Sequence, residues 1–334
     1  MVCLRYRPRQ PRASPVWQIL HDHAATVPGL SPAAASAIKA FLECGDIHAG
    51  FTRLHCPDCG HEYLLAFSCK QRGLCASCHQ RRTLIEAAFI ADEICAVVPH
   101  RHLVLTLPRL IRPTFKFNRA LLDELYHAAH SAIAAWLRHR TGQPDGQPGL
   151  VVAVQTFGDF LFWHPHVHVL AAAGVFTPNG DFHLVPPGGW QELAELWRHT
   201  VLRRLREAGT LSDGQIAKLK NWHHSGFSVD AGEVPLAADD AAGRRRLAEY
   251  LLRAPFSLEK ITYNAESSSV LYRSERHWRT KRNFEVFSAT QFIAALLDQI
   301  PPKGVPQVRY YGWYSNKSRG LRQRTAGAVA GKTH

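Results

Sequence analysis

Two pairs of cysteines place the tightest constraint on how this 334-residue chain folds. Cys56 and Cys59 form one Cys-x-x-Cys pair, and Cys75 and Cys78 form a second pair after a gap of 15 residues. Two such turns direct four thiolates at one point, which predicts a structural zinc site with no open position for chemistry. Free buried cysteines are the alternative. Cys69 lies in the gap and is an alternative to one of these four zinc ligands. The remaining cysteines are not expected to bind zinc.

The composition indicates a folded protein with an anionic partner. Hydrophobic residues make up 46% of the chain, which supplies a sizeable core, and 40 basic residues against 27 acidic ones give a net charge of +13. Apolar runs are too short to cross a membrane, and the N-terminus lacks the apolar core of a signal peptide, so we expect a cytoplasmic protein with reduced cysteines. Arg81 and Arg82 follow the second cysteine pair, and we expect them to contact DNA. A zinc module that only mediates protein contacts is the alternative.

The periodicity of apolar residues divides the chain into four parts. We expect a basic arm over 1–15, a helical and zinc-ribbon DNA-binding domain over 16–90, a larger domain over 91–315 and a basic tail over 316–334. Within the larger domain, 118–140 and 288–297 have the apolar spacing of helices. The segments 102–107, 150–156, 166–171 and 308–314, together with alternating residues over 256–286, indicate strands. The fold class is therefore α+β.

A histidine-rich strand carries the strongest chemical signal. Successive side chains of a strand point to opposite faces, so His166 and His168 share one face while the valines beside them face the core. Two adjacent imidazoles are suited to one divalent cation. Hydrogen-bonded or surface histidines are the alternative, since the chain has 20 histidines. Pro165 cannot donate to a sheet, so we expect the strand to begin after it and His164 to lie at the rim.

Two ligands do not complete a metal site, and the sequence leaves the third ligand open. If 150–156 forms the neighbouring strand, the side-chain oxygen of Gln155 can face the same cation, and Asp159, nearer the turn, is the alternative. Imidazole ligands suit Mn²⁺ and Zn²⁺ as well as Mg²⁺, so the ion is also open.

Several motifs, in this order, resemble those of the IS91-family transposases and their ISCR relatives. The resemblance spans about residues 16–320 and rests on the two cysteine pairs, Leu-Thr-Leu-Pro at 105–108, Gln-Thr-Phe-Gly from Gln155, His-Pro-His-Val-His at 164–168, and Val-Arg-Tyr-Tyr-Gly-Trp-Tyr-Ser-Asn at 308–316.

The resemblance implies an HUH-type nuclease domain with a central antiparallel sheet flanked by helices. In that superfamily two histidines around an apolar residue hold Mg²⁺ or Mn²⁺, and a tyrosine on a helix attacks single-stranded DNA. The family's second tyrosine maps to Tyr250, with Arg253 three residues later. Arg246 occupies the position of the first tyrosine, so the chain departs from the two-tyrosine form and is similar to the single-tyrosine branch.

Basic and aromatic residues outside the histidine strand are candidates for DNA contact. Arg246 and Arg253 flank Tyr250 at helical spacing and can hold phosphate oxygens, or they form a solvated face. Single-stranded bases can stack on aromatic rings beside cations, although an aromatic strand in the core is the alternative. The candidates beyond the zinc module are Arg246, Lys281, Arg282, Arg309, Tyr310 and Tyr311.

These observations predict a transposase that nicks and rejoins single-stranded and hairpin DNA at transposon ends through a 5′-phosphotyrosine. A plasmid-type rolling-circle replication initiator or relaxase uses the same chemistry and is the nearest alternative. A zinc-ribbon DNA-binding protein that has lost catalysis is an alternative from a different class. The sequence leaves the oligomeric state open.

Overall fold

The computed structural model describes residues 10–222, 226–276 and 281–330. Residues 1–9 of the expected basic arm and the last four of the basic tail lie outside the described residues. The helices in this part of the chain are α1 (Pro15–His23), α2 (Pro32–Leu42), α3 (Ala76–Phe89), α4 (Arg112–Phe117), α5 (Leu122–Thr141), α6 (Trp190–Glu207), α7 (Asp213–Lys220), α8 (Ala241–Leu251), α9 (Ala289–Leu297) and α10 (Asn316–Ala330). The strands are β1 (Phe51–His55), β2 (Glu62–Ala66), β3 (His100–Leu105), β4 (Gln147–Phe157), β5 (Trp163–Phe176), β6 (Phe182–Leu184), β7 (Val229–Asp230), β8 (Ile261–Asn264), β9 (Ser269–Arg273), β10 (Phe284–Ser288) and β11 (Val308–Gly312). This mixture of helices and mainly antiparallel strands confirms the α+β class.

The chain forms two compact units, and their boundaries differ from those expected from the sequence. Unit 1 contains residues 1–85, 157–163 and 253–304, and unit 2 contains 86–156, 164–252 and 305–334. The first boundary lies close to the expected one at residue 90. The segments 157–163 and 253–304, which were assigned to the larger domain, belong instead to unit 1.

The core of unit 1 explains this division. Helices α1, α2 and α9 bury an apolar face together with strands β9 and β10, and the loop between β4 and β5 contributes Phe160 and Leu161 to the same cluster. Phe160 and Leu161 are 4% and 1% exposed. Three separated segments therefore share one core, and burial of apolar surface is the main force that holds them together. The hairpin of β1 and β2 also belongs to unit 1, and its strand residues are exposed except for the half-buried Ala66.

Unit 2 is built on a sheet with the strand order β11-β4-β5-β3-β7, to which β6 adds by pairing with β5. Strands β3 and β5 are antiparallel, with His102 opposite Leu170 and Val104 opposite His168. This register puts His102 diagonally beside His168 on the same face of the sheet. The expected strands at 102–107, 150–156 and 166–171 are all present, with longer bounds in β4 and β5.

Helices cover the sheet of unit 2. On one face the buried residues of α8 pack with Val151, Ala153, Leu170 and Ala172. On the other face α5 packs against α6, and Tyr126 of α5 donates a hydrogen bond to the carbonyl oxygen of Gln307, just before β11. The histidine face of β5 is therefore the face that α8 covers.

The structure differs from one further expectation, the start of β5, and also gives the conformation of the basic tail. Strand β5 begins at Trp163, two residues before Pro165. Pro165 has no N–H to donate, but the strand pairs with β3 only from Val167 onward, so that pairing does not need one. The basic tail is helical from Asn316 to Ala330. No helix in the described ranges is long and apolar enough to cross a membrane.

Candidate active site and metal centres

Four cysteines of unit 1 form a closed cluster. The side chains of Cys44, Cys69, Cys75 and Cys78 bring their sulfur atoms within 4.8 Å of one another. Individual sulfur separations are 3.8 Å for Cys44–Cys75, 3.7 Å for Cys44–Cys78 and 3.6 Å for Cys69–Cys78. Four sulfurs at 2.3 Å from one zinc ion in a tetrahedron are about 3.8 Å apart, so the cluster has the dimensions of a structural zinc site.

The structure corrects the ligand set expected from the sequence. Cys75 and Cys78 are joined by Cys44 and Cys69, not by Cys56 and Cys59. Cys56 and Cys59 lie at the turn of the exposed β1–β2 hairpin, where Cys59 is itself exposed. Cys44 follows the end of α2, Cys69 follows β2 and the second pair opens α3, so these three chain positions meet beside the core of unit 1.

The four cysteines of the cluster perturb one another's ionisation, and backbone N–H groups donate to sulfurs of the cluster. The backbone N–H of Cys69 donates to the sulfur of Cys44, and that of Cys78 donates to the sulfur of Cys75. Hydrogen bonds from Cys69 and Cys75 lower the pKa of Cys44 to about 7, whereas the neighbouring thiol of Cys44 raises the pKa of Cys69. Four neighbouring thiols cannot all ionise without a cation, because the thiolates would repel one another. A bound cation compensates this negative charge.

The two histidines of β5 occupy one buried face of unit 2. His166 and His168 are 8% and 2% exposed, and their ring centres are 4.7 Å apart. Nδ1 of His166 lies 2.7 Å from the carbonyl oxygen of His164, and Nδ1 of His168 lies 2.9 Å from Nε2 of His102. Because both Nδ1 atoms have these partners, Nε2 is the atom of each ring that suits a cation. The donor set therefore fits a divalent ion with two imidazole ligands.

Helix α8 brings Tyr250 to this pair. Its buried positions Arg244, Ala248 and Leu251 follow helical spacing and fix its orientation. At its start, the side chain of Asp240 accepts a hydrogen bond from the N–H of Gly243. Tyr250, on a neighbouring side of the helix, is 40% exposed, and its ring meets that of His168 edge-on with 5.4 Å between centres.

Gln155 lies on β4 and is 4% exposed. Its side-chain nitrogen donates to the carbonyl oxygens of Tyr250 at 3.1 Å and Leu251 at 3.0 Å. The side-chain amide of Gln155, which was expected to supply the third metal ligand, thus donates hydrogen bonds to the last turn of α8. Asp159, the alternative ligand, belongs to unit 1, where its carboxylate accepts a hydrogen bond from the hydroxyl of Ser274.

Sequence reasoning missed His102, which belongs to the site. It was expected only as the start of a buried strand, but its ring contacts both His168 and Tyr250. The signal that could have found it is the pattern of strand β3, because His100 and His102 lie on the same face of the strand, just before the apolar run of 103–105. Among the described residues, the only group of three or more metal-ligating side chains within 4.8 Å is the cysteine cluster.

Comparisons with known proteins find similarity in both the cysteine module and the later part of the chain. A family model described as "Transposase zinc-binding domain" matches residues 16–107, and one described as "Putative transposase" matches residues 149–321. The chain belongs to the IS91 family of transposases.

Two curated relatives of this transposase extend the similarity over most of the chain. The transposase for insertion sequence element IS801 of Pseudomonas savastanoi pv. phaseolicola is 25% identical, with 86% of this chain and 72% of the relative aligned. "Putative transposase y4qJ" of Sinorhizobium fredii (strain NBRC 101917 / NGR234) is 26% identical, with 79% and 70% aligned. No solved structure matches the chain significantly.

Most basic residues that we expected to bind DNA lie on the surface of the transposase. Arg81 and Arg82 are exposed on α3, and Arg246 is exposed on α8, where it lies 4.0 Å from Asp240. Lys281 and Arg282 are exposed just before β10. Arg253 is also exposed and belongs to unit 1, with its guanidinium over the ring of Phe157.

The aromatic strand β11 packs against its neighbours in unit 2 and leaves its tyrosines half-buried. Tyr310 joins the core of unit 2, and burial raises its pKa to about 12. The half-buried Tyr311 stacks on His130 of α5, with ring centres 4.6 Å apart. Arg309 forms an ion pair with Asp123 of the same helix. These side chains hold β11 against its neighbours, as the core alternative expected.

Proposed function

We propose that this transposase is an HUH-class, single-tyrosine enzyme that nicks and rejoins single-stranded DNA at transposon ends through a 5′-phosphotyrosine. The observation that carries the proposal is the edge contact between the half-exposed phenol of Tyr250 and the buried ring of His168. The proposed nucleophile and the two proposed metal ligands all belong to unit 2, which supports the proposal.

His166 and His168 are the residues that hold Mg²⁺ or Mn²⁺ in this proposal, each through Nε2. When bound, such an ion withdraws charge from a phosphate and favours in-line displacement. The rest of the step belongs to the chain. Helix α8 holds the phenol beside the ring of His168, and Gln155 donates hydrogen bonds to two carbonyl groups at the end of that helix.

The covalent step conserves the phosphodiester energy. The hydroxyl oxygen of Tyr250 attacks phosphorus, and the bond from phosphorus to the 3′-oxygen breaks. The phenol loses its proton to solvent, which its 40% exposure permits, and the departing 3′-oxygen gains a proton. The product is a tyrosine ester of the 5′-phosphate. A free 3′-hydroxyl can reverse the step, so strands are rejoined without ATP.

Two features support a single-tyrosine transposase over related enzymes. Arg246 stands four residues before Tyr250, where the two-tyrosine form has its first tyrosine, and its exposed guanidinium is suited to a phosphate of the DNA backbone. Arg81 and Arg82 are exposed on α3, the helix that contains Cys78 of the cluster, and are suited to the same role.

The test uses single-stranded oligonucleotides that tile both ends of the element and carry a fluorophore at the 3′ end. In this mechanism the fragment with the labelled 3′ end stays on the protein. With Mn²⁺ we expect a fluorescent protein band on a denaturing gel, and Tyr250→Phe should abolish it. Tyr63→Phe is the matched control, because Tyr63 is an exposed tyrosine of the β1–β2 hairpin and should leave the band unchanged.

Each alternative gives a different result. Binding of the oligonucleotides without an adduct, in wild type and variant alike, supports an inert zinc-ribbon DNA-binding protein. An adduct with a plasmid origin strand, and none with element ends, supports a replication initiator or relaxase. An adduct that persists in Tyr250→Phe contradicts the assignment of the nucleophile.

A further inference from the structure

His102 contacts two residues of the proposed site, His168 and Tyr250. Its Nε2 lies 2.9 Å from Nδ1 of His168, and the two ring planes differ by only 8°. Its ring also meets that of Tyr250 edge-on, with 5.5 Å between centres and an angle of 80°. The half-buried side chain of His102 therefore touches a candidate metal ligand and the candidate nucleophile at once.

The pairing of β3 with β5 builds this contact into the sheet. His102 faces Leu170 in the ladder, and Val104 faces His168, so His102 lies on the diagonal of His168 on one face of the sheet. Its neighbour Leu103 is 2% exposed on the opposite face, which prevents the strand from turning over. The position of His102 is thus determined by strand register and by burial.

The hydrogen bond between His102 and His168 is compatible with the tautomer of His168 that binds a cation. A cation on Nε2 of His168 requires that the ring proton sit on Nδ1, and that proton is then donated to Nε2 of His102. A partner of this kind fixes the orientation of a metal-ligating histidine and raises its basicity, and its loss typically costs 10- to 100-fold in metal affinity. His166 obtains the same support from a backbone carbonyl, that of His164.

We propose that His102 is a positioning residue that contacts a metal-binding histidine but not the metal. It holds His168 in its metal-binding tautomer and restrains the ring of Tyr250. This inference rests on the proposed function, since it assumes a cation at His166 and His168. It assigns His102 neither to the metal shell nor to the chemical step.

The test replaces His102 in the full-length protein and measures Mn²⁺ binding by electron paramagnetic resonance. His102→Leu removes the acceptor, and we expect affinity for Mn²⁺ to fall by about 10- to 100-fold. His102→Gln and His102→Glu keep an oxygen acceptor for the Nδ1 proton, and we expect them to restore affinity to within a few-fold of wild type, with Glu binding at least as tightly as Gln.

A spectroscopic count separates positioning from ligation. Electron spin echo measurements of nitrogen coupled to Mn²⁺ should give two coordinated imidazoles in wild type and in His102→Leu, and one in His168→Ala. A lower count in His102→Leu would make His102 a direct ligand and overturn the proposal. Wild-type affinity in His102→Leu would overturn it too, as would failure of the wild-type protein to bind Mn²⁺.

Adduct formation distinguishes the failure of this inference from the failure of the proposed function. If Mn²⁺ binding follows the expected order but no variant and no wild-type protein forms an adduct, the positioning role stands and the nuclease assignment fails. If wild type forms the adduct and His102→Leu forms it at the same rate with unchanged Mn²⁺ affinity, the nuclease assignment stands and the positioning role fails.

Discussion

Gln155 offers the sharpest test of how the fold holds Tyr250, the proposed nucleophile. Its side-chain amide donates to the carbonyl oxygens of Tyr250 and Leu251, and the last carbonyls of a helix have no partner inside the helix. Gln155→Leu keeps a similar side-chain size and removes both donors. The hydrogen bond to Leu251 is fully buried, whereas the one to Tyr250 is partly buried, so water can replace only the second in part.

The expected magnitude follows from these two contacts. A buried acceptor left without a donor costs about 1–3 kcal/mol. With one buried and one partly buried carbonyl, we expect Gln155→Leu to lower the free energy of unfolding by about 2–4 kcal/mol. The released helix end also carries Tyr250, and since a displacement of 1 Å in a reacting group can cost about 100-fold in rate, we expect a comparable loss of adduct formation.

Urea denaturation in a metal-free buffer with chelator measures the stability change, and the adduct assay measures the rate. Gln299→Leu is the matched control. Gln299 is 5% exposed in unit 1 and donates to the carbonyl oxygen of Leu161, so this control should cost stability without slowing adduct formation by more than a few-fold. A loss below about 0.5 kcal/mol in Gln155→Leu, or an equal rate loss in the control, would refute the reasoning.

Gln155→Glu separates helix positioning from metal ligation. An ionised carboxylate has no donor for the two carbonyls, so we expect this variant to be less stable than Gln155→Leu at neutral pH. It should recover stability on acidification, when the protonated acid can donate once. If Gln155 is instead the third metal ligand, as the sequence suggested, Gln155→Glu should bind Mn²⁺ more tightly than wild type.

Two further predictions concern the metal and the pH dependence. Zinc content by mass spectrometry should be one ion per chain, and it should be lost in Cys44→Ser and Cys69→Ser but kept in Cys56→Ser and Cys59→Ser. His100 is fully buried and donates to or accepts from the hydroxyl of Tyr314, and burial lowers its pKa to about 4. Since the unfolded chain takes up this proton near pH 6.5 and the folded chain only near pH 4, stability should fall by up to about 3 kcal/mol as the pH drops through that window. Urea denaturation at several pH values should show that the free energy of unfolding depends less steeply on pH in His100→Asn than in wild type. The dependence that is left should come from His164, whose pKa is also lowered.

Much of the fold was predictable because its local patterns are strong. The apolar period over 288–297 predicted helix α9. Ser288 caps that helix, and its hydrogen bonds with Gln291 run in both directions. The alternation around His166 and His168 correctly predicted a strand with both imidazoles on one face. In these cases local preference and tertiary burial favour the same structure.

The division into units was not predictable in the same way. Phe160 and Leu161 lie between two strands of unit 2 but bury their side chains in the core of unit 1. Both have positive φ angles, 54° and 61°, which no local sequence preference of Phe or Leu indicates. Only the distant residues that cover them make this conformation favourable.

The zinc ligands illustrate the limit of spacing arguments. Both Cys-x-x-Cys pairs satisfy the local pattern, and the hydrogen bonds of the Cys56–Cys59 turn lower the pKa of Cys56 as a ligand would require. The pairs are nevertheless kept apart, because Cys56 and Cys59 lie at the turn of an exposed hairpin. Cys44, just after the amphipathic helix α2, and Cys69, after β2, take their places in the cluster.

The two proposed metal sites differ in how completely their protein ligands surround the ion. Four sulfurs at tetrahedral spacing surround a zinc ion completely, so that site can contribute folding free energy but cannot accept a substrate oxygen. Two imidazoles occupy only part of a coordination sphere and leave positions for phosphate oxygens and water. Each site belongs to a different unit, and each unit has its own core. Loss of a cysteine ligand should therefore act first on the folding of unit 1, whereas loss of His166 or His168 should slow the reaction of Tyr250 in a chain that still folds.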